Sequence, residues 1–225
     1  KVLFDQAQSL EITRKVGSRL VNRKLAGIPA GNLSVFSRRA EMQDVSAAIS
    51  VVIDASGSMN VDREIDGKEV TPILYANACA YAFALGLDKA GVSSEFVYYG
   101  QNDGTSYTMY TAKTYDEKPI ASRFSVKATG QSTPSSQAIT YALNSLALRP
   151  ENKKFMIFLT DGEPDNPIAV THATQLASMF GVKIIPIGIC TNVVHGFQKD
   201  DFVVVNDPSQ LTTALREAVK LKLFN

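Results

Sequence analysis

Asp54, Ser56 and Ser58 occupy alternate positions in ISVVIDASGSMN (residues 49–60), directly behind an apolar run. In a near-extended segment alternate side chains point to one side, so this spacing gathers one carboxylate and two hydroxyls. Oxygen-only donors of that kind suit a hard cation such as Mg²⁺. Two further stretches offer oxygen donors in comparable settings. TGQSTPSS (129–136) presents Thr133 just ahead of a segment that can open a helix at Pro134. FLTDGEPDN (158–166) ends an apolar run on Asp161, with Gly162 behind it to allow a tight turn. Brought together, the three loops would converge five oxygen-bearing side chains. Asp54 ends a strand, so truncating it is expected to remove a ligand rather than core packing.

Other chemistries fail on residue type. A phosphatase of the haloacid-dehalogenase kind needs a second aspartate two positions after its nucleophile, where this chain has Ser56. A serine-hydrolase elbow needs G-x-S-x-G, which DASGS does not supply. No G-x-x-x-x-G-K-[ST] phosphate loop is present. Of the two histidines, His172 falls in a helical pattern and His195 in the loop TNVVHGF. A lone loop histidine is ordinarily a bystander. The expectation is a non-catalytic chain, with no catalytic residues and no organic cofactor site.

Converging loops need a scaffold, and the hydrophobic pattern supplies one. AAISVVID (47–54), SSEFVYYG (93–100), KKFMIFLTDG (153–162), VKIIPIGIC (182–190) and DFVVVND (201–207) read as strands, the first buried on both faces. Between them, 71–91, 134–148 and 167–181 read as helices, and 208–224 as a closing one. Thr71 and Pro72 mark the start of the first helix and Gly91 its end. In the second, Ile139, Ala142, Leu143 and Leu146 share one face. Alternation of this kind implies an α/β fold: a doubly wound, mostly parallel central sheet with helices on both faces. Loops at the carboxyl edge of such a sheet are where ligands bind. The polar, Thr- and Tyr-rich stretch 101–127 breaks the rhythm, as a hairpin or an irregular excursion, with Asp103-Gly104 as a turn signal. Its tyrosines (107, 110 and 115) are expected on an exposed β-ribbon rather than against a ligand.

At 225 residues, 45% hydrophobic, 20% charged and net +1, the chain fits one large α/β domain with an appended segment. That balance excludes a disordered chain and one strongly drawn to nucleic acid. Cys79 and Cys190 sit in apolar runs, as buried small hydrophobes of a reducing compartment rather than a disulfide. The longest apolar stretch, Ala78 to Leu87, is about half a bilayer span. KVLFDQAQ at the start shows no signal-peptide pattern. A cytoplasmic setting without a membrane partner is expected. Residues 1–46 differ in charge: eight Lys/Arg against four Asp/Glu, against fifteen and eighteen in the remainder. Ile12, Val16 and Leu20 at four-residue intervals suggest an amphipathic helix. The expected division is therefore a basic helical lead-in over 1–46, packed on the domain or on a partner, and a domain over 47–225. A basic helical face is ordinarily only solvated, so nucleic-acid binding is not expected.

The set Ile53-Asp54-Ala55-Ser56-Gly57-Ser58-Met59, Thr133-Pro134 and Leu159-Thr160-Asp161-Gly162 resembles the metal-ion-dependent adhesion site (MIDAS) of von Willebrand factor A (VWA) domains, complete at all five positions. That resemblance implies a doubly wound sheet with one antiparallel edge strand. It also implies one divalent cation, Mg²⁺ with Mn²⁺ or Ca²⁺ as substitutes. Ser56, Ser58 and Thr133 would ligate it through hydroxyls, and Asp54 and Asp161 largely through water. A carboxylate from another protein would complete the shell, beside Met59 and Glu163. More of the chain is similar to the C-terminal VWA domain of the CobT-type subunit of aerobic cobaltochelatase. The points of similarity are RLVNRKLAG, VVIDASGSM, LDKAGVSSEFVYYG and the closing stretch from VKIIPIGIC to LREAVKLKLF. This implies a AAA+ ATPase partner of the CobS/MoxR type and a metal-insertion complex of cobalamin biosynthesis. The alternative is a free-standing cytoplasmic VWA scaffold or adhesion module without an ATPase.

Overall fold

A computed structural model describes residues 11–14, 19–20, 36–39, 46–65, 68–102, 107–129, 131–198 and 202–205, with isolated positions beyond. The chain divides into two compact units, Lys1–Val45 and Ser46–Asn225.

In the first unit, strands β1 (Glu11–Arg14), β2 (Arg19–Leu20) and β3 (Phe36–Arg39) form an antiparallel sheet in the order β1-β3-β2. The amphipathic helix expected through Ile12 and Leu20 is therefore corrected to strand. Ile12 and Leu20 stand on two short strands, one on each side of β3, so pairing across the sheet sets their structure rather than the four-residue interval. Val16 and the rest of the basic lead-in lie outside the described residues.

The second unit is built on β4 (Ala47–Asp54), buried along its whole length. A 3-10 turn over Gly57–Asn60 follows, then the hairpin of β5 (Arg63–Ile65) and β6 (Lys68–Val70). Helix α1 (Pro72–Lys89) leads into β7 (Ser93–Asn102) and β8 (Tyr107–Lys113). After a 3-10 turn at Ala121–Phe124 come α2 (Ser135–Ala147), β9 (Lys153–Thr160), α3 (Pro167–Met179), β10 (Val182–Ile189) and β11 (Val203–Val205). The sheet order is β11-β10-β9-β4-β7-β8, with every pair parallel except β7–β8. This is the doubly wound sheet that the alternation implies, with one antiparallel edge. The stretch after β7 resolves as a hairpin arm, β8, whose register shifts twice against β7. The closing helix expected over 208–224 lies almost wholly outside the described residues; Leu215, within it, is helical and buried. Among the described residues, no helix is long and apolar enough to cross a membrane.

Alternation along the strands sorts the core into two faces. Val52, Tyr99, Met156 and Phe158 pack with Ile139, Leu143 and Leu146 of α2 and Val170 and Ala177 of α3. On the other face Phe96 meets Phe83 of α1 and Phe124 of the 3-10 turn, with centroids 6.3 and 5.4 Å away. Thr71 stands at the N-cap of α1, but its hydroxyl donates to Asp62 instead of capping the helix. Gly91, at φ 71°, ends that helix in the left-handed region where a side chain is disfavoured. Tyr110 is exposed on the ribbon as expected, whereas Tyr115 is not. It lies half-buried against the α2 face, with the Arg149 guanidinium 4.7 Å above its ring. Cys79 is buried and Cys190 half-buried, and the two form no disulfide with each other.

The chain enters the sheet at β4, runs to β7 and β8 on one side, then crosses back to β9 and onward. The direction reverses between β4 and β9. Ligand crevices open at such a switch point, outside the carboxyl ends of the strands. Asp54 ends β4 and Asp161 follows β9, one on each lip of it.

Candidate metal centre

Asp54 is fully buried, and donors meet both of its carboxylate oxygens. The Ser56 backbone N–H donates to Oδ1 at 2.8 Å; the Thr160 hydroxyl donates to Oδ2 at 2.8 Å and the Tyr99 hydroxyl at 3.2 Å. It is thus wired into the core from β7 and β9 as well as its own loop. Beside the ligand role expected of it, a strand-end carboxylate with three buried donors has structural weight. Thr160 Oγ1 also accepts from the Gly162 N–H at 3.1 Å, which ties the loop after β9 to the same carboxylate.

Ser56 is 2% exposed, and its Oγ lies 3.0 Å from Oγ of the half-buried Ser58. The alternate spacing does bring the two hydroxyls together. Thr133, 8% exposed, receives support from the loop after β9: its N–H donates to Asp165 Oδ1 at 2.7 Å, and its carbonyl accepts from the Asp165 N–H at 3.0 Å. Two residues on, the Ser135 hydroxyl lies 3.2 Å from that of Tyr99. Tyr99 therefore stands between Asp54 and the start of α2. Asp161 is 5% exposed. Its Oδ2 accepts from Arg63 at 3.0 Å, while Oδ1 is buried and meets no hydrogen-bond donor among the described residues. A buried carboxylate oxygen left over in this way is costly and marks where a cation would gain most.

Backbone packing fixes the loops. Gly100, at φ 109°, lies so close that a Cβ would fall 2.8 Å from the Ser56 nitrogen. Gly162, at φ 104°, would place a Cβ 2.1 Å from the Val193 carbonyl oxygen. Gly162→Ala is therefore expected to push the Asp161 loop off its seat. A loss of about 2–4 kcal/mol from clash and left-handed strain, together with weakened metal binding, would appear in urea melts and metal titration. Wild-type values for both would show that the loop relaxes freely.

Three residues of the centre escape sequence reasoning: Tyr99, Thr160 and Arg63. Met59, expected beside the open side, is fully buried beneath the turn and cannot meet a partner, whereas Glu163 is exposed. His195 is exposed, and its backbone N–H donates to the Gly162 carbonyl at 3.1 Å. His172 is exposed on α3.

Burial, reinforced by the charge on Asp161, pushes the Asp54 carboxyl up to about 6; the bonds from Ser56 and Thr160 only partly oppose this. An acid whose folded value exceeds its unfolded value destabilises the fold once it ionises. The contribution is therefore most favourable below about pH 4 and is lost as pH rises through about 6, on the order of 3 kcal/mol in metal-free protein. Burial raises Glu95 too, with the same sign. In EDTA, wild-type stability is expected to fall between about pH 4 and about pH 6 relative to Asp54→Asn. A constant difference between the two proteins would contradict this.

The donor set fits a hard divalent cation: two carboxylates that repel each other in a buried crevice, hydroxyls beside them, and no sulfur or imidazole. Among the described residues, no group of three or more His, Cys, Asp or Glu side chains offers a conventional metal cluster. A hydroxyl-rich set is a different kind of site.

The family model of the von Willebrand factor type A domain matches residues 48–210. The chain belongs to this family. Similar solved structures include the pilus adhesin SpaC from Lactobacillus rhamnosus GG, at 15% identity and TM-score 0.64. Proximal thread matrix protein 1 from the mussel byssus, with a zinc-occupied MIDAS motif, matches at 21% and 0.61. The vWF domain of the type V pili tip protein Mfa5 from Porphyromonas gingivalis matches at 13% and 0.59. Each match covers 80% of this chain, but only 31% of the adhesin and 48% of the byssal protein, against 96% of the Mfa5 domain. At such identities the likeness is one of fold. No curated protein matches the sequence.

Proposed function

We propose that this VWA domain is a metal-dependent protein-interaction module, non-catalytic on its own, whose MIDAS is complete. One divalent cation, Mg²⁺ in the cell with Mn²⁺ or Ca²⁺ as substitutes, is held by the hydroxyls of Ser56, Ser58 and Thr133, with Asp54 and Asp161 close by. The observation that carries this reading is the pair of buried carboxylates at the sheet's switch point. Asp54 is pushed up by burial and then by the charge on Asp161, and Asp161 keeps a buried oxygen without a donor among the described residues. A cation relieves both conditions at once. Zinc in the MIDAS of the byssal protein supports a divalent ion at the corresponding edge of this fold.

A bound cation would supply coordination strong enough to hold a carboxylate from another protein in place of a water. The chain's own residues orient that exchange. Tyr99 and Thr160 fix Asp54, Asp165 fixes the Thr133 backbone, and exposed Glu163 stands on the rim. We assign the partner as a cytoplasmic AAA+ ATPase of the CobS/MoxR type, in an assembly like that of the CobT-type cobaltochelatase subunit. This assignment rests on the sequence resemblance through RLVNRKLAG and the closing strand-loop-strand-helix pattern. The second reading, an adhesion or scaffold module without an ATPase, draws on the pilus adhesin among the similar structures.

Isothermal titration of EDTA-stripped protein with Mg²⁺ and Mn²⁺ tests the metal centre; saturable one-to-one binding is expected, and its absence refutes the reading. Co-elution of the chain with the AAA+ ATPase encoded nearest to it, in Mg²⁺ and in EDTA, tests the partner. Metal-dependent co-elution is expected. No complex in either condition favours the scaffold reading, and equal complex in both removes the metal site as the docking point.

A further inference from the structure

Arg63 is an unexpected occupant of this crevice. It begins the hairpin after the metal loop and reaches across to the far lip. Its Nη1 donates to the Cys190 carbonyl at 2.8 Å and its Nη2 to Asp161 Oδ2 at 3.0 Å. The loops after β4, β9 and β10 are thereby joined through one guanidinium. Cys190 holds that carbonyl in place with a left-handed backbone, φ 55°, uncommon for a residue with a side chain. The Asp161 side chain is 2% exposed and that of Arg63 30%, so the pair is sheltered rather than a surface contact.

We propose that Arg63 is a resident counter-charge of the metal centre, sharing the Asp161 carboxylate with the cation and setting its affinity. This rests on the metal reading of the site. Without a cation, Asp54 and Asp161 together carry two negative charges in a buried crevice, and Arg63 neutralises one of them. With a divalent cation bound, the same groups sum to one positive charge. Arg63 therefore stabilises the metal-free fold and opposes the incoming ion. Asp161 can serve both, since Arg63 takes Oδ2 and leaves the buried Oδ1 without a donor among the described residues. The opposition is Coulombic, so it scales with the charge of the ion. A residue that merely positioned Asp161 would act otherwise: its removal would weaken every ion alike.

That difference supplies the test, on the full chain stripped with EDTA. Arg63→Gln removes the charge but keeps a donor; Arg63→Lys keeps the charge but loses the planar fork. Mn²⁺ binding is followed by titration and Tb³⁺ binding by luminescence, with melts in EDTA as the metal-free readout. Arg63→Gln is expected to bind Mn²⁺ about tenfold more tightly than wild type and Tb³⁺ about thirtyfold. It should also melt several degrees lower in EDTA. Arg63→Lys is expected to stay within about threefold of wild type for both ions. Unchanged or weaker Mn²⁺ binding in Arg63→Gln overturns the proposal, as does an equal gain for both ions. A large loss in Arg63→Lys overturns it independently, even where Arg63→Gln does not fold. No saturable Mn²⁺ binding by wild type would instead refute the metal centre, and this inference with it.

Discussion

Asp54→Ala is expected to abolish saturable Mn²⁺ binding, a loss of about 100-fold or more in affinity, and to destabilise the metal-free domain by about 1–3 kcal/mol. Two opposed effects set the second figure. Truncation strands the Ser56 N–H and the hydroxyls of Thr160 and Tyr99 in a buried place, each a source of cost when unpaired. It also removes a carboxylate that burial and Asp161 already disfavour. The Tyr99 hydroxyl can turn fully to Ser135, and Asp161 loses a like charge, so the net cost stays well below the sum of three lost bonds. Asp54→Asn separates the two roles. Its amide oxygen can still accept from Ser56 or Thr160, so most stability returns, while the missing charge leaves metal binding lost. Titration of both variants beside urea melts in EDTA decides the matter. Wild-type Mn²⁺ affinity in Asp54→Asn would show that the carboxylate charge does not serve a cation.

The central sheet was open to sequence reading because parallel strands covered on both faces must be apolar along their length. AAISVVID and KKFMIFLT stand out from the helices between them for that reason. The metal loop was legible for a related reason. A carboxylate and two hydroxyls directly after such a strand have no packing role in common, which leaves ligation as their shared property. Arg63 was not legible, since its partner lies 98 positions away and one arginine on a polar hairpin looks like any solvated charge. Tyr99 was hidden by its own strand: in SSEFVYYG it reads as core, and only the pairing of Asp54 with Tyr99 across β4 and β7 turns its hydroxyl into part of the centre. Met59 misled in the opposite direction. Its place after Ser58 suggested the open side, but the 3-10 turn folds it inward. The first unit misled because pairing with the distant β3, which a four-residue interval does not reveal, makes strands of Ile12 and Leu20.

Phe158 couples the core to the centre, and Phe158→Ala is expected to weaken both. The ring is 1% exposed and stacks on Tyr99, with centroids 5.5 Å apart and planes at 23°. Phe197 covers it from the loop after β10 at 6.0 Å. Removing such a ring leaves a cavity that the strands cannot close, at about 3–5 kcal/mol. The second consequence follows from what Tyr99 does. With its stacking surface gone, its ring is free to tilt into the space, and the 3.2 Å contact of its hydroxyl with Asp54 is the first bond to go. Asp54 then keeps the Ser56 N–H and the Thr160 hydroxyl but loses its tether to β7 and α2. Metal affinity is expected to fall about tenfold, the size of effect usual for a lost partner behind a ligand. Ile157→Ala is the matched control. Ile157 is fully buried on the adjoining position of β9, so its side chain faces the opposite side of the sheet. It should cost about 2–5 kcal/mol as well but leave Mn²⁺ affinity unchanged. Equal losses of affinity in the two variants would mean that global loosening, and not the Tyr99 hydroxyl, connects the core to the metal centre.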